Sequence, residues 1–440
     1  MIGYNRLCNL EDFADPALKS VIREVFEYEL AAFPPEYPDG VADSKQWEIA
    51  MAVRALRDHG QLTPKARLLG VGAGTEVTSF FLTNHAMEVV ATDIYAHAEQ
   101  WADVAPASFL ANPSTFAPVP YDTRRLVPLH MDGRVLEFPD NSFDGVFSSG
   151  SIEHFGSTEA VSNAAYEIGR VLKVGGVATI ATEFKLGGPP GEGWDPNVIL
   201  FTPETLQKFI VEASGLEPVD QPDFHLSEAT LSVRRDLLSF LEGTRDLSDP
   251  AVKIAHYPNL VLLHEGYLFC SVHLALRKTA NYPAFANSWA APSESVRASV
   301  RAARRSAAER LAATAGVGRD LLSLLRISAN PDTIAALQQE RLNLLADIAN
   351  ATAERDSARD AGNATMADLV ATQRQLADSQ TQLAESRAQL ADNQAQLVDL
   401  QGRLAQTEAN LVAIRNSTFW RASSPLRRLI TAGRRLARGA

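Results

Sequence analysis

The stretch Arg67-Leu-Leu-Gly-Val-Gly-Ala-Gly-Thr-Glu76 runs an apolar strand into a glycine-rich turn, and Val89-Val-Ala-Thr-Asp93 ends a second apolar strand on a carboxylate. A glycine turn brings backbone close to a ligand, and an acid about 20 residues on accepts both hydroxyls of a ribose. Together they predict a nucleoside cofactor bound to an α/β sheet. A glycine turn alone would not, because glycines also make ordinary tight turns. A dinucleotide site would want a third glycine where the helix packs on the strand, and counting from Gly72 that position is Val77.

The chain has 440 residues, 46% of them apolar, which is enough for a sizeable core and more than one unit. Its net charge of -12 argues against nucleic-acid binding. Cys8 and Cys270 lie far apart without metal-ligand spacing, so no metal is expected. The first residues lack the apolar core of a signal peptide. The apolar stretch Leu260–Leu276 is interrupted by His264, Glu265 and His273, so it does not read as a membrane span. These features predict a cytoplasmic protein.

Five regions differ in texture. Residues 1–65 read as a helical cap, with Ser44 starting a helix at Lys45–Arg57. Residues 66–280 alternate apolar strands with helical stretches, which predicts a mainly parallel sheet. Strands are expected at Ala66–Val71, Glu88–Thr92, Leu126–His130, Gly145–Ser149, Gly176–Ala181, Leu260–Leu263 and Tyr267–Leu276, with an irregular insert over 95–125. Residues 281–333 form an alanine- and arginine-rich helical linker. Over 334–415, Leu369, Leu376, Leu383, Leu390, Leu397, Leu404 and Leu411 recur every seventh residue, which predicts a coiled coil joining copies of the chain into a homo-oligomer. The bland alternative is a solvated single helix. The segment 416–440 reads as a basic amphipathic tail: seven arginines and no acid lie between Arg415 and Ala440, against -19 for the rest of the chain. Phe419 and Trp420 precede a helix with Leu426, Leu429, Ile430 and Leu436 on one face, a pattern suited to an anionic membrane surface.

Between these regions lies the site chemistry. Asp132 follows the third strand, where a carboxylate can accept from an adenine amino group, and Ser142-Phe-Asp-Gly-Val-Phe leads into the fourth. That strand ends in Ser148-Ser-Gly-Ser-Ile-Glu-His-Phe155, at the carboxyl end where open α/β sheets place ligands. Glu167-Ile-Gly-Arg-Val-Leu-Lys-Val-Gly-Gly then reads as helix and glycine turn before the fifth strand.

This ordered set resembles the class I S-adenosylmethionine-dependent methyltransferases. The resemblance implies a Rossmann-like α/β fold, with a seven-stranded sheet flanked by helices, and S-adenosyl-L-methionine as cofactor. It implies that Gly72, Ala73 and Gly74 support the methionine part and that Asp93, with Ile94, holds the ribose. Asp132, with Gly133, meets the adenine, and Ser148 and Ser149 line the pocket. Two positions depart from the family pattern: Gly70 stands where many members carry an acid, and Glu76 where the loop often ends in glycine. Glu76 is therefore a candidate partner for the cofactor's amino group.

Methyl transfer needs the acceptor aligned with the methyl group and sulfur, and a hydroxyl acceptor also needs a base. His154 and Glu153, after strand four, and Glu183, after strand five, are the candidates, although His154 would equally suit capping the next helix. The tail resembles a Ser-x-x-Trp-Arg-x-x-x-Pro-Leu-Arg segment found after coiled coils in bacterial proteins of surface-polysaccharide assembly, with Ser417, Trp420, Arg421, Pro425, Leu426 and Arg427 matching. That implies methylation of a sugar hydroxyl on a lipid-linked or surface glycan, at the inner face of the cell membrane. Two other readings are a small-molecule or lipid methyltransferase and a non-catalytic cofactor-binding scaffold, the latter favoured by Gly70 and Glu76.

Overall fold

The apolar runs beside the glycine turns become strands because they are short, aliphatic and covered on both faces. Nearly every residue of Arg67–Val71, Glu88–Asp93, Leu126–His130 and Phe143–Ser149 is buried, without the in–out alternation of a one-sided sheet. In the computed structural model the described residues are 2–314, apart from 31–32, 34, 96–103, 196–197, 240–256 and 281–286, together with 326–327, 343 and 409–410. Met1–Ala315 and Arg319–Glu340 form one compact unit, and Gly316–Gly318 with Arg341–Ala440 a second. The coiled-coil reading of 334–415, but for 343 and 409–410, and the whole tail reading of 416–440 lie outside the described residues.

Ten strands make one sheet among the described residues: β1 (Arg6–Leu7), β2 (Arg67–Val71), β3 (Glu88–Asp93), β4 (Leu126–His130), β5 (Phe143–Ser149), β6 (Leu172–Gly187), β7 (Glu217–Pro218), β8 (Arg235–Asp236), β9 (Val261–His264) and β10 (Tyr267–Arg277). Their order is β4-β3-β2-β5-β6-β10-β9-β8. Strands β2 to β6 run parallel in their pairs, and β10 runs antiparallel to β6. The reversal on either side of β2 is the topological switch point at which such sheets bind ligands. The α-helices described in full are α1 (Pro16–Val25), α2 (Ser44–Asp58), α3 (Val77–Thr83), α4 (Ser108–Ala111), α5 (Thr158–Val171), α6 (Pro203–Leu206), α7 (Glu228–Ser232) and α8 (Glu294–Thr314).

The Rossmann-like expectation holds, but the strand count does not. Seven strands were expected and ten are present among the described residues, because three short strands add to that end of the sheet: β1 and β7 pair with β10, and β8 with β9. One of these, Arg6–Leu7, comes from the region read as helical. Helix α2 is capped by Asp43, whose carboxylate accepts from the Gln46 N–H, rather than by Ser44. The glycine turn expected before strand five is a wide bulge inside β6. Phe143 pairs with Leu172 and Gly145 with Val177, leaving Lys173–Gly176 looped out, with Gly175 at φ 84°. Lys173 uses the loop to reach Asp144 at 2.8 Å.

Helix α2 is buried along most of its length, with Trp47, Ala50, Met51 and Val53 sealed from solvent. Its first turn therefore sits over the ends of the central strands, and that places Lys45 and Glu48 at the site.

Candidate active site

The glycine loop adopts a conformation that side chains would block. Gly72 has φ 64°, and a Cβ there would lie 2.5 Å from the Ser151 hydroxyl. Gly74 has φ 46° and sits against the Val104 carbonyl. Between them, the Ala73 N–H donates to the Thr92 carbonyl at 3.0 Å, which ties the loop to β3. Asp93 finishes the tie. Its Oδ2 accepts from the Gly74 N–H at 2.8 Å and its Oδ1 from the Ile94 N–H at 2.6 Å. Burial raises the Asp93 pKa, and these two N–H groups oppose that rise. A carboxylate has about four lone-pair positions, so two remain for a pair of ribose hydroxyls.

The departure at Gly70 has a packing cause. A Cβ at this position would fall 2.6 Å from the Phe147 ring and 2.8 Å from the Ala73 methyl, so no acid fits here. Glu76 is the N-cap of α3 and accepts from the Thr78 hydroxyl at 3.1 Å. Its pKa is pushed up to about 7, chiefly by burial and against the pull of Lys45.

Further along the edge, Asp132 is gripped by Arg134 through two nitrogens, the shorter contact being 2.7 Å. Gly133 leaves room for the Phe155 ring, which a Cβ would meet at 2.8 Å. At the end of β5 the Ser148 hydroxyl pairs at 2.8 Å with that of Ser151, just beyond the strand, and Ser151 also donates to the Val71 carbonyl at 3.3 Å. The Ser149 hydroxyl is buried and has no hydrogen-bond partner among the described residues. An unmet polar atom beside the switch point is what a ligand-binding wall leaves for its ligand.

The expected catalytic candidates gather beside two residues that had no assigned role. Lys45 lies 2.7 Å from Glu48 and 3.9 Å from Glu76, and donates to the Ser149 carbonyl at 3.4 Å. Glu48 also accepts from the Ser271 hydroxyl at 2.5 Å. Glu153 is buried and accepts from the Thr182 hydroxyl at 2.9 Å. Burial raises its pKa against the opposing charges of His154 and Lys45. His154 lies 3.9 Å from Glu153 and is 29% exposed, so it occupies the rim rather than the floor.

Glu183 differs from its neighbours. It makes no side-chain hydrogen bond among the described residues, and its pKa stands well above the usual carboxylate range. Burial contributes most to this, followed by the charges of Glu48 and Glu153. One lysine thus faces Glu48, Glu76, Glu153 and Glu183. A cleft with this excess of carboxylate favours a cationic ligand. Sequence patterns mark Lys45 and Glu48 only as neighbours on one helical face; their approach to Glu76 and Glu153 is a long-range contact with no local signal.

Residues 69–180 match the family model described as a methyltransferase domain. No curated protein matches the chain. Among solved structures, the chain is similar to the YcgJ protein from Bacillus subtilis at 16% identity, with 52% of this chain and 98% of that one covered and a TM-score of 0.32. It is similar to the [4+2]-cyclase SpnF at 20% identity, with 64% and 100% covered and a TM-score of 0.36. It is also similar to geranyl diphosphate C-methyltransferase from Streptomyces coelicolor A3(2) at 15% identity, with 63% and 91% covered and a TM-score of 0.36. The matched segment contains Gly72–Gly74, Asp93 and Asp132, and the enzyme is an S-adenosylmethionine-dependent methyltransferase. Its cofactor is S-adenosyl-L-methionine. The residues fit that group: open glycine backbone, spare acceptor positions on Asp93 and an unmet Ser149 hydroxyl. Among the described residues, no cluster of three or more His, Cys, Asp or Glu is placed to hold a metal.

Proposed function

We propose that this enzyme methylates a sugar hydroxyl of a lipid-linked or surface glycan, working at the cytoplasmic face of the membrane. The observation that carries the hydroxyl acceptor is Glu183, a carboxylate of raised pKa with no side-chain hydrogen bond among the described residues, on β6 just past the end of its pairing with β5. S-adenosyl-L-methionine supplies an electrophilic methyl group on a positively charged sulfur. A hydroxyl that accepts a methyl group must lose its proton, and Glu183 would take it. A raised pKa suits this task, because a base works best when its pKa lies near the working pH. Glu153, fixed by Thr182, and Lys45 hold the surrounding charge in place. The Gly72–Gly74 loop and Asp93 fix the donor, so alignment provides the remaining acceleration.

A sugar acceptor is supported by a cavity of about 320 Å³ lined by Glu192, Trp194, Asp195 and Ile199. Trp194 is steadied by Phe269 at 5.0 Å and His264 at 5.0 Å between ring centres. An aromatic ring flanked by carboxylates suits the apolar face and hydroxyls of a pyranose. The cavity adjoins the cleft, since the Ile199 N–H donates to the Glu153 carbonyl at 2.9 Å and the Phe201 N–H to the Glu183 carbonyl at 2.9 Å.

Membrane placement is read from the arginine-rich segment 416–440, and assembly into oligomers from the leucine heptads of 334–415. Among the described residues no helix is long and apolar enough to cross a membrane, so placement at the surface falls to the tail. The test is transfer of labelled methyl from S-adenosyl-L-methionine to lipid-linked glycan, measured beside glycan-free lipid extract. Label in the glycan fraction alone supports the proposal. Label in the glycan-free lipid alone overturns the sugar acceptor.

A further inference from the structure

Beyond the matched domain, helix α8 presents Val300, Ala303 and Ala307 at spacings of three and four, an apolar stripe facing one direction. Val300 is 6% exposed and Ala307 2%, so these two are covered, while Ala303 between them is exposed. What it faces is a cavity of about 220 Å³ whose other wall includes Ile94, Asp132 and Val135. Two of those three are residues assigned to the cofactor's ribose and adenine. The helix is tied down at several points. The Arg304 guanidinium pairs with Glu137, just beyond Asp132, and also donates to the Ile327 carbonyl at 2.5 Å. Just before the helix, the Asn163 amide donates to the buried Ala290 carbonyl at 3.0 Å.

We propose that α8 is the roof of the adenine subsite, with Val300, Ala303 and Ala307 covering the base and the Arg304–Glu137 pair as its clasp. This rests on the placement of the cofactor along Asp93 and Asp132. A heteroaromatic base needs apolar contact on its faces and an acceptor for its exocyclic amine. The cavity offers the first through Ile94 and Val300 and the second through the Asp132 carboxylate. The sheet alone supplies one wall; the second comes from chain more than 160 residues later. Cofactor affinity is therefore a property of residues 66–314 and not of the matched domain alone.

The test uses the full chain and S-adenosylhomocysteine as probe, read by calorimetry and by hydrogen exchange. Ala303 is solvent-exposed at the cavity rim, so Ala303→Trp fills the cavity without disturbing the core. It is expected to weaken S-adenosylhomocysteine at least about tenfold. Arg304→Glu should do the same, and the swap with Glu137→Arg should restore most of the loss. In the unaltered protein, the probe should slow exchange of the backbone amides of 294–314, a readout that needs no variant to fold. Unchanged affinity in Ala303→Trp, or unchanged exchange over α8 when the probe binds, overturns the roof. Asp93→Ala separates the two readings. If it abolishes binding while Ala303→Trp does not, only the roof fails; if Asp93→Ala retains binding, the cofactor placement itself fails.

Discussion

The Asp93 carboxylate accepts the Gly74 N–H at 2.8 Å, so one side chain shapes the glycine loop and, on the proposed cofactor placement, also meets the ribose. Binding and loop geometry are thereby coupled. Asp93→Ala removes the acceptor and the tie together, and each charge-assisted contact is worth about 1.5–3 kcal/mol. The expected result is a loss of S-adenosylhomocysteine affinity of at least about a hundredfold in calorimetry.

Glu183→Gln separates proton transfer from binding. The variant keeps the size of the side chain and leaves Asp93 untouched, so S-adenosylhomocysteine affinity should be unchanged. Turnover should fall by about 10²–10⁴, the usual contribution of a positioned base. Burial and the charges of Glu48 and Glu153 raise the pKa of this group. Because a base must be deprotonated, the acid limb of the rate profile should lie above the ordinary carboxylate range, and activity should rise with pH through it. A profile flat across that range, or full turnover in Glu183→Gln, would remove Glu183 from the mechanism.

Stability should depend on pH through His273. This ring projects from β10 and is fully buried, with Nδ1 2.7 Å from the Tyr4 carbonyl and Nε2 without a hydrogen-bond partner among the described residues. Burial lowers its pKa from 6.5 to about 4. Between those values the unfolded chain binds more protons than the folded protein. The contribution of neutral His273 is therefore full above about 6.5 and is lost as pH falls toward 4, amounting to about 3 kcal/mol. Urea unfolding of His273→Gln should show a lower stability at neutral pH and a smaller drop over that window than the unaltered protein.

Much of this was readable beforehand because it is local. Leu126–His130 and Val89–Asp93 are short aliphatic runs closed by polar residues, and the distance from Gly72 to Asp93 is set by one strand–helix–strand unit. Long-range geometry was not readable. Lys45 and Glu48 sit one helical turn apart on a segment whose periodicity reveals a buried face but not what it covers. Arg6–Leu7 is too short for any alternation to mark it as a strand. The alanines of α8 look the same whether they face solvent, another helix or a base. Of the three proposed catalytic residues, structure separates Glu183, which makes no side-chain hydrogen bond among the described residues, from Glu153, held by Thr182, and His154, at the rim. Sequence position ranks them alike.

The tail carries a prediction of its own. Six arginines and the Phe419–Trp420 pair lie within 416–440. At about 1 kcal/mol per basic residue near an anionic surface, deleting the segment should release the protein from phosphatidylserine vesicles in a sedimentation assay, and raised salt should have the same effect. Binding that survives the deletion would place the membrane contact elsewhere or abolish the idea.

Mass spectrometry of surface and lipid-linked glycans tests the central claim most directly, using cells that carry the gene, cells that lack it and cells carrying Glu183→Gln. The account predicts one sugar position methylated only in the first. Identical methylation in all three would contradict it.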